Sequence, residues 1–206
     1  MLGATLNQAD YISRLKDELD RIDPAAMQRW SDLLYEAWEH GRFVYVFGNG
    51  GSATSATHFC EDLGKSSLRE SDLQDESKKR LKIMSLTDNV GWMLAVGNDV
   101  GYEDIFAQQL MNYGQAGDLV LAISGSGNSP NIVKAVDWAN RHGLMTFGIS
   151  GFNGGKLKEM QTDGIHVELN DMGWLRAFIF VCSIGYSTMY LLVSIMRVGT
   201  QNDSGH

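Results

Sequence analysis

The chain has 206 residues, 44% of them hydrophobic, which suffices for one domain with a sizeable core. Its 17 Lys and Arg residues against 25 Asp and Glu residues give a formal net charge of −8, and we find no basic cluster beyond residues 78–80. This balance disfavours nucleic acid as a partner, because binding it needs a basic surface. Cys60 and Cys182 suggest buried thiols rather than a disulfide framework, and no signal peptide is evident, so we expect a cytoplasmic protein.

The hydrophobic periodicity predicts two leading amphipathic helices, followed by strands that alternate with helices. Pro24 lies near the first position of the second helix, where proline is favoured. A polar stretch at 66–80 predicts an exposed loop. In chain order, the predicted helices are 5–22, 25–40, 54–64, 89–97, 102–114, 130–142, 156–160 and 174–197, and the predicted strands are 43–47, 81–86, 119–124, 144–149 and 164–169.

Strands that alternate with helices indicate the α/β class, with a central parallel sheet flanked by helices on both faces. We therefore expect a three-layer sandwich preceded by the amino-terminal helices. The chain is divided into a helical segment, 1–40, which packs on a domain formed by residues 41–206. No linker or low-complexity segment separates them, so the two parts form a single globular unit.

The most apolar segment is 177–196, twenty residues without a formal charge. A segment of this length can cross a membrane. Serine, threonine, glycine and tyrosine residues dilute its hydrophobicity, however, and it is the only segment of its kind. We therefore expect no membrane association, and a helix buried in the core or in a subunit interface.

Two loops rich in glycine and serine follow predicted strands, and each precedes a helix. The first is Gly48-Asn-Gly-Gly-Ser52, and the second is Gly125-Ser-Gly-Asn-Ser129. Backbone N–H groups and the positive end of a helix dipole attract anions at such places, and glycine allows the anion to come close. Because parallel sheets bind ligands at the carboxyl ends of their strands, the two loops together predict a sugar phosphate site. A turn without a ligand is the simpler alternative for the second loop.

Two other phosphate-binding functions fit these loops less well. Gly48-x-Gly50-x-x-Ala53 matches the dinucleotide fingerprint formally, but the acidic residue at the end of the next strand, Asp88, lies forty residues on instead of about twenty. The second loop lacks the lysine of a P-loop, which argues against nucleotide triphosphate hydrolysis. A monophosphate needs less compensating charge than either of these ligands.

Three further side chains suggest chemistry beside the first loop. His58 and Asp62 are four residues apart, so they share one helix face, and Glu61 lies near His58. Such a pair can move protons or hold a metal ion, or His58 can simply form hydrogen bonds within the core. Asp88 ends the second strand, where its carboxylate could accept sugar hydroxyls or cap a helix.

At these residues the chain resembles the SIS (sugar isomerase) domain family, and within it the phosphoheptose isomerase branch. That branch converts sedoheptulose 7-phosphate to D-glycero-D-manno-heptose 7-phosphate. The resemblance covers nearly the whole chain. Its most specific motifs are Gly48-Asn-Gly-Gly-Ser52, His58-Phe-x-Glu-Asp62, Val96-Gly-Asn-Asp99 and Ser124-x-Ser-Gly-Asn-Ser129.

The resemblance implies a role for each candidate residue. Ser124, Ser126 and Ser129 would hold the phosphate. His58, Glu61 and Asp62 would lie at the reacting end as the catalytic groups. The family is tetrameric with active sites between subunits, and some members bind zinc there, so a homotetramer is implied for this chain. The remaining substrate-binding residues would be Asn49, Gly50, Gly51, Ser52 and Asp88.

The chain departs from the family pattern at the reacting end. Asp62 replaces the usual glutamate and is one methylene shorter, and Gly125 replaces a hydroxyl residue. The family carries a glutamine and a histidine in the last helix, but residues 174–196 contain no Gln, Glu, Asp or His. Because only His58 and one of the two carboxylates remain from the family set, we expect neither a metal ion nor a cofactor.

These departures leave two functional hypotheses. The first is an aldose–ketose isomerase, which needs a base for a carbon-bound proton and a group that moves protons between oxygens. Asp62 or Glu61 could be the base, while the second group is not evident from the sequence. The alternative is a non-catalytic phosphosugar-binding regulator or assembly protein, which the altered last helix favours.

Overall fold

The computed structural model describes residues 7–168 and shows a five-stranded parallel sheet with helices on both faces. The strand order is β2-β1-β3-β4-β5. This confirms the predicted α/β class with a central parallel sheet. The strands are β1 (Phe43–Gly48), β2 (Lys82–Ser85), β3 (Leu119–Ser124), β4 (Met145–Ser150) and β5 (Asp163–His166). The helices are α1 (Gln8–Leu19), α2 (Pro24–Glu39), α3 (Gly51–Glu61), α4 (Val90–Asp99), α5 (Ala107–Tyr113), α6 (Pro130–Arg141) and α7 (Gly155–Met160).

The central strands are apolar throughout because both of their faces are covered. Every residue of β3 is buried, and its alternate side chains enter two separate cores. The same alternation holds in β1. Val44 and Val46 point to the core under α2 and α3, while Tyr45 and Phe47 point to the core under α5 and α6. The sheet is therefore the middle layer of a three-layer sandwich.

The second helix of the chain is part of the main core. Asp23 caps it by accepting a hydrogen bond from the Ala25 N–H at 2.9 Å, and Pro24 occupies its first turn, as predicted. Trp30 is fully buried, and its ring centroid lies 5.8 Å from that of Phe59 and 4.7 Å from that of Phe147. These aromatic contacts join α2 to α3 and to the sheet.

Several predicted boundaries differ from the observed ones. Helix α3 begins three residues earlier than predicted, at Gly51, and continues into a π-helical turn, Asp62–Ser66. The helix predicted at 102–114 is divided into a 3₁₀ turn, Tyr102–Asp104, and α5. The polar stretch expected to be an exposed loop contains another 3₁₀ turn, Glu70–Asp72. The helix predicted at 174–197 lies outside the described residues.

Two further expectations concern the membrane and the thiols. Between residues 7 and 168, no helix combines the length and the hydrophobicity that crossing a membrane requires. Cys60 lies partly buried on α3 and forms no disulfide within residues 7–168, and burial raises the pKa of its thiol far above the ordinary value. Burial therefore favours the protonated thiol. Cys182 lies outside the described residues.

Candidate phosphosugar site

The two glycine-serine loops lie side by side at the carboxyl edge of the sheet. Strands β1 and β3 are neighbours, and their paired residues run from Val44 with Leu119 to Gly48 with Ile123. From β1 the chain crosses to β2 on one side and then returns to β3 on the other, so the strand order reverses between β1 and β3. Helices α3 and α6 leave this point on opposite faces. Doubly wound sheets bind ligands in the crevice at such a switch point.

The first loop is as short as a strand-to-helix connection can be. Strand β1 ends at Gly48 and α3 begins at Gly51. A Cβ atom on Gly48 would lie 2.6 Å from Ser52 Cβ and 2.9 Å from the Ile123 carbonyl oxygen, so only glycine fits there. Gly50 has a φ of +56°, which side chains disfavour, with nothing within 4 Å of its missing Cβ. Among the described residues, the space beside Gly50 at the amino end of α3 is therefore unfilled.

The three serines of the second loop differ in exposure and in their partners. Ser124 is buried, and its hydroxyl accepts a hydrogen bond from the Gly127 N–H at 3.2 Å, so it holds the turn together. Ser126 is exposed and accepts from the Asn128 N–H at 3.3 Å. Ser129 is the half-buried N-cap residue of α6, and its hydroxyl caps no N–H group within residues 7–168. Ser126 and Ser129 are therefore the hydroxyls best placed for a phosphate.

A third loop, which the sequence analysis did not include, supports the second. The N–H of Gly151 donates to the Gly125 carbonyl oxygen at 2.9 Å, and the N–H of Leu157 donates to the Gly127 carbonyl oxygen at 2.9 Å. A Cβ atom on Gly127 would overlap the Gly154 carbonyl oxygen. The loop between β4 and α7 thus fixes the shape of the phosphate loop. The pair Gly154–Gly155, both with positive φ, is the sequence signal for this close approach.

Asn49 is the predicted ligand residue whose side chain joins the two loops. Its Nδ2 donates to Asn131 Oδ1 at 2.9 Å, and Asn131 Nδ2 donates back to Asn49 Oδ1 at 2.8 Å. The Tyr102 hydroxyl also donates to Asn49 Oδ1, at 3.2 Å. The sequence analysis missed Asn131, a buried amide in the first turn of α6.

The structure brings the three predicted catalytic groups together on α3 and the turn that follows it. His58 Nε2 lies 3.4 Å from Asp62 Oδ2, and a ligand atom from each of His58, Glu61 and Asp62 lies within 4.8 Å of the other two. Glu61 Oε1 also pairs with Lys65 Nζ at 3.1 Å. Within residues 7–168 this group offers three metal-ligand atoms, which suits an open site better than a closed zinc site.

Ser52 and Asp88, the two predicted sugar contacts, both lie near α3 at the carboxyl edge of the sheet. Ser52 is buried in the first turn of α3. Asp88 follows β2 and accepts a hydrogen bond from the Thr57 hydroxyl of α3 at 2.5 Å. The residue at the N-cap of α4 is Asn89, so the alternative of a capping role for Asp88 is wrong. Its carboxylate is instead held against α3, at the same edge of the sheet as the loops.

His166 lies away from this group, although it also ends a strand. It is on β5, with β4 and β3 between it and β1. Its Nδ1 lies 3.1 Å from the Ser150 hydroxyl. Burial and the nearby Lys158 ammonium lower the pKa of His166 below the ordinary value, although Glu168 opposes this shift. His166 therefore lies with the residues that support the second loop, and not with His58, Glu61 and Asp62.

Comparisons with known proteins agree with this architecture. The sequence pattern of the SIS domain matches residues 9–151. A phosphoheptose isomerase from Chlorobium phaeobacteroides is 30% identical over 204 residues, which cover 95% of this chain and 86% of the relative. Another from Rhodospirillum rubrum is 39% identical over 152 residues, 74% of each chain. The solved structure of a phosphoheptose isomerase from Francisella tularensis has a TM-score of 0.75 and 25% identity, and the match covers 92% of this chain and 98% of that one.

Both glycine-serine loops of the site lie within residues 9–151, which the family pattern matches. The long alignments and the shared fold support the same family. The chain belongs to the SIS domain family, in its phosphoheptose isomerase branch.

Proposed function

We propose that the chain binds a sugar phosphate in the crevice between β1 and β3 and interconverts an aldose with a ketose. Sedoheptulose 7-phosphate and D-glycero-D-manno-heptose 7-phosphate are the proposed pair. The observation that carries the proposal is the pairing of two glycine-serine loops at the switch point, each at the amino end of a helix of eleven residues or more. When the phosphate binds at one loop, the sugar chain lies against the other loop.

The phosphate is assigned to the second loop. The positive end of the α6 dipole and the hydroxyls of Ser126 and Ser129 supply the compensation that a monoester dianion needs. Ser124 acts mainly through the loop, since its hydroxyl already accepts the Gly127 N–H. Ser52, Asp88 and the backbone of residues 49–51 then face the sugar hydroxyls.

Asp62 is the better candidate for the base. Glu61 is exposed and paired with Lys65, whereas the side chain of Asp62 is only 19% exposed and pairs with His58. The carboxylate of Asp62 would take the proton from the carbon beside the carbonyl group and return it to the neighbouring carbon. His58 would move a proton between the two oxygens, so that the substrate and the product have the same atoms.

The deciding experiment measures turnover of sedoheptulose 7-phosphate by the purified chain, with product detected by NMR, alongside calorimetric binding. We expect both binding and turnover. Failure of any phosphorylated pentose, hexose or heptose to bind would reject the proposed site. Binding without turnover of any of them would reject the isomerase.

The second candidate function is a non-catalytic phosphosugar-binding regulator or assembly protein. One sequence observation favours it: residues 174–196 lack every Gln, Glu, Asp and His. The residues proposed to bind the phosphosugar all lie outside that segment, whereas the family resemblance places part of the reacting group within it. Intact phosphosugar binding in an inactive protein would support this candidate.

We also propose a cytoplasmic homotetramer. Helix α4 supports the assembly, because none of its ten residues is buried although its sequence is mostly apolar. Val90, Leu94 and Val100 are each more than half exposed on α4 or at its end. The uncharged apolar faces of α4 in two copies of the chain can pack together across a two-fold axis, because no like charges repel there. Sedimentation should show a tetramer that Leu94→Glu dissociates, and a monomeric wild type would reject the assembly.

A further inference from the structure

Two asparagines join the two loops of the site through a reciprocal pair of hydrogen bonds. Asn49 follows the last residue of β1, and Asn131 lies in the first turn of α6, 82 residues later. Each side chain donates its Nδ2 to the Oδ1 of the other, at 2.9 and 2.8 Å. This pair is the direct side-chain link between the loop that precedes α3 and the amino end of α6.

Asn131 is the fixed member of the pair. The residue is 1% exposed, and its Oδ1 also accepts the N–H of Ile132 at 3.0 Å. A buried amide with these partners has little freedom, because any other rotamer would leave polar atoms without hydrogen bonds. The orientation of Asn131 is therefore set by α6 itself, and Asn49 adapts to it.

Asn49 has little capacity left for a ligand. Its Oδ1 accepts from both Asn131 and Tyr102, and one of its two Nδ2 hydrogens is used. The turn that carries Tyr102 is itself held on α6, because Lys134 Nζ lies 2.8 Å from Asp104 Oδ1. The side chain of Asn49 is thus oriented from two directions, and what it keeps for a ligand is one Nδ2 hydrogen beside the backbone of residues 49–51.

We propose that Asn131 is a positioning residue, which acts through Asn49 to set the separation between the α3 loop and the amino end of α6. This inference rests on the proposed function for the identity of the ligand. A sugar phosphate that touches both loops depends on their separation, whereas inorganic phosphate needs only the α6 loop. Loss of the pair therefore weakens the larger ligand selectively.

The first test is hydrogen exchange in the ligand-free protein, which does not depend on the proposed function. Asn131→Ala should raise the exchange rates of amides in residues 49–55 severalfold, and Asn49→Ala should do the same. Thr146→Val is the matched control. Thr146 is also buried, and its hydroxyl bonds Asn140 Oδ1 at 2.7 Å near the amino end of β4, away from the site. Unchanged exchange at 49–55 in both asparagine variants would overturn the proposal.

The second test compares two probes by calorimetry. Asn131→Ala should raise the Kd for sedoheptulose 7-phosphate about tenfold, a loss within the free energy that the two neutral hydrogen bonds contribute to holding the loops in place, and leave the Kd for inorganic phosphate nearly unchanged. Combining it with Asn49→Ala should cost little more than either change alone, because both remove the same pair. Equal weakening of both probes would mean a merely structural role and overturn the proposal. A wild type that binds inorganic phosphate but no sugar phosphate would reject the proposed function, while faster exchange would still support positioning.

Discussion

The two halves of the candidate site are built in different ways. The phosphate half is a backbone structure, in which Gly125 accepts a hydrogen bond from the loop after β4, Gly127 accepts one from Leu157 of α7, and Ser124 closes the turn. The reacting half consists of side chains on one helix, of which His58 is 43% and Glu61 57% exposed. The loop that forms the first half lies wholly within residues 7–168. Among these residues the second half offers three groups.

This difference explains why the binding half can persist while the reacting half changes. A loop fixed by backbone contacts keeps its geometry when neighbouring side chains are replaced. A catalytic group depends on the position of each side-chain atom, so replacing glutamate by the shorter Asp62 or losing a distant partner alters it directly.

The largest expected effect lies in the reacting half. Asp62→Asn should lower turnover of sedoheptulose 7-phosphate by roughly 10²–10⁴-fold with Kd nearly unchanged, because it removes only the proposed base. Glu61→Gln should have a much smaller effect, since Glu61 is paired with Lys65. Steady-state kinetics beside calorimetry checks both. Equal losses in the two variants would contradict the assignment of the base.

Measuring the zinc content of the purified protein gives a control for the prediction about Asp62. We expect little bound zinc, and activity that survives a chelator, because the described residues offer only His58, Glu61 and Asp62. Stoichiometric zinc in the purified protein, with activity lost on its removal, would mean that ligands from outside residues 7–168 complete the site.

The next largest effect concerns two loop glycines with positive φ. Gly127→Ala should destabilise the fold by about 3 kcal/mol and abolish phosphate binding, because its Cβ would overlap the Gly154 carbonyl oxygen at a φ of +64°. Gly50→Ala also has a positive φ, but its Cβ meets open space, so about 1–2 kcal/mol is expected. Urea unfolding measures both. A smaller loss for Gly127→Ala than for Gly50→Ala would disprove the backbone support.

A smaller effect is expected for the hydroxyls that contact the ligand. Ser126→Ala and Ser129→Ala should each weaken sugar phosphate binding by about 1.5–3 kcal/mol, the usual contribution of a hydrogen bond to a charged group. Stability should change little, since Ser126 is exposed and Ser129 makes no capping bond within residues 7–168. Calorimetry is the measurement. Wild-type affinity in both variants would move the phosphate away from this loop.

Local sequence patterns predicted the strands and both loops, but not the contacts between distant segments. The run before Gly48 is apolar and ends in glycine, so β1 was placed within one residue. The turn at Tyr102–Asp104 was missed because Lys134, on another helix, holds Asp104. Asn131 was missed for the same reason, since its partner lies 82 residues away. Neither contact leaves a periodic signal in the chain.

The smallest expected effect is a change in the pH dependence of stability. It tests whether His166 supports the second loop or belongs to the reacting half. Burial lowers the pKa of His166 below its ordinary value of 6.5, so the folded state binds this proton less readily than the unfolded chain does. Stability is therefore full above about pH 6.5 and falls as the pH drops below that value. His166→Gln should remove part of this fall, while turnover at neutral pH stays near the wild-type level. Thermal unfolding of both proteins at several values between pH 5 and 8 measures the difference. The same acid-side slope in both would show that His166 does not cause it, and a large loss of turnover would place His166 in the reacting half.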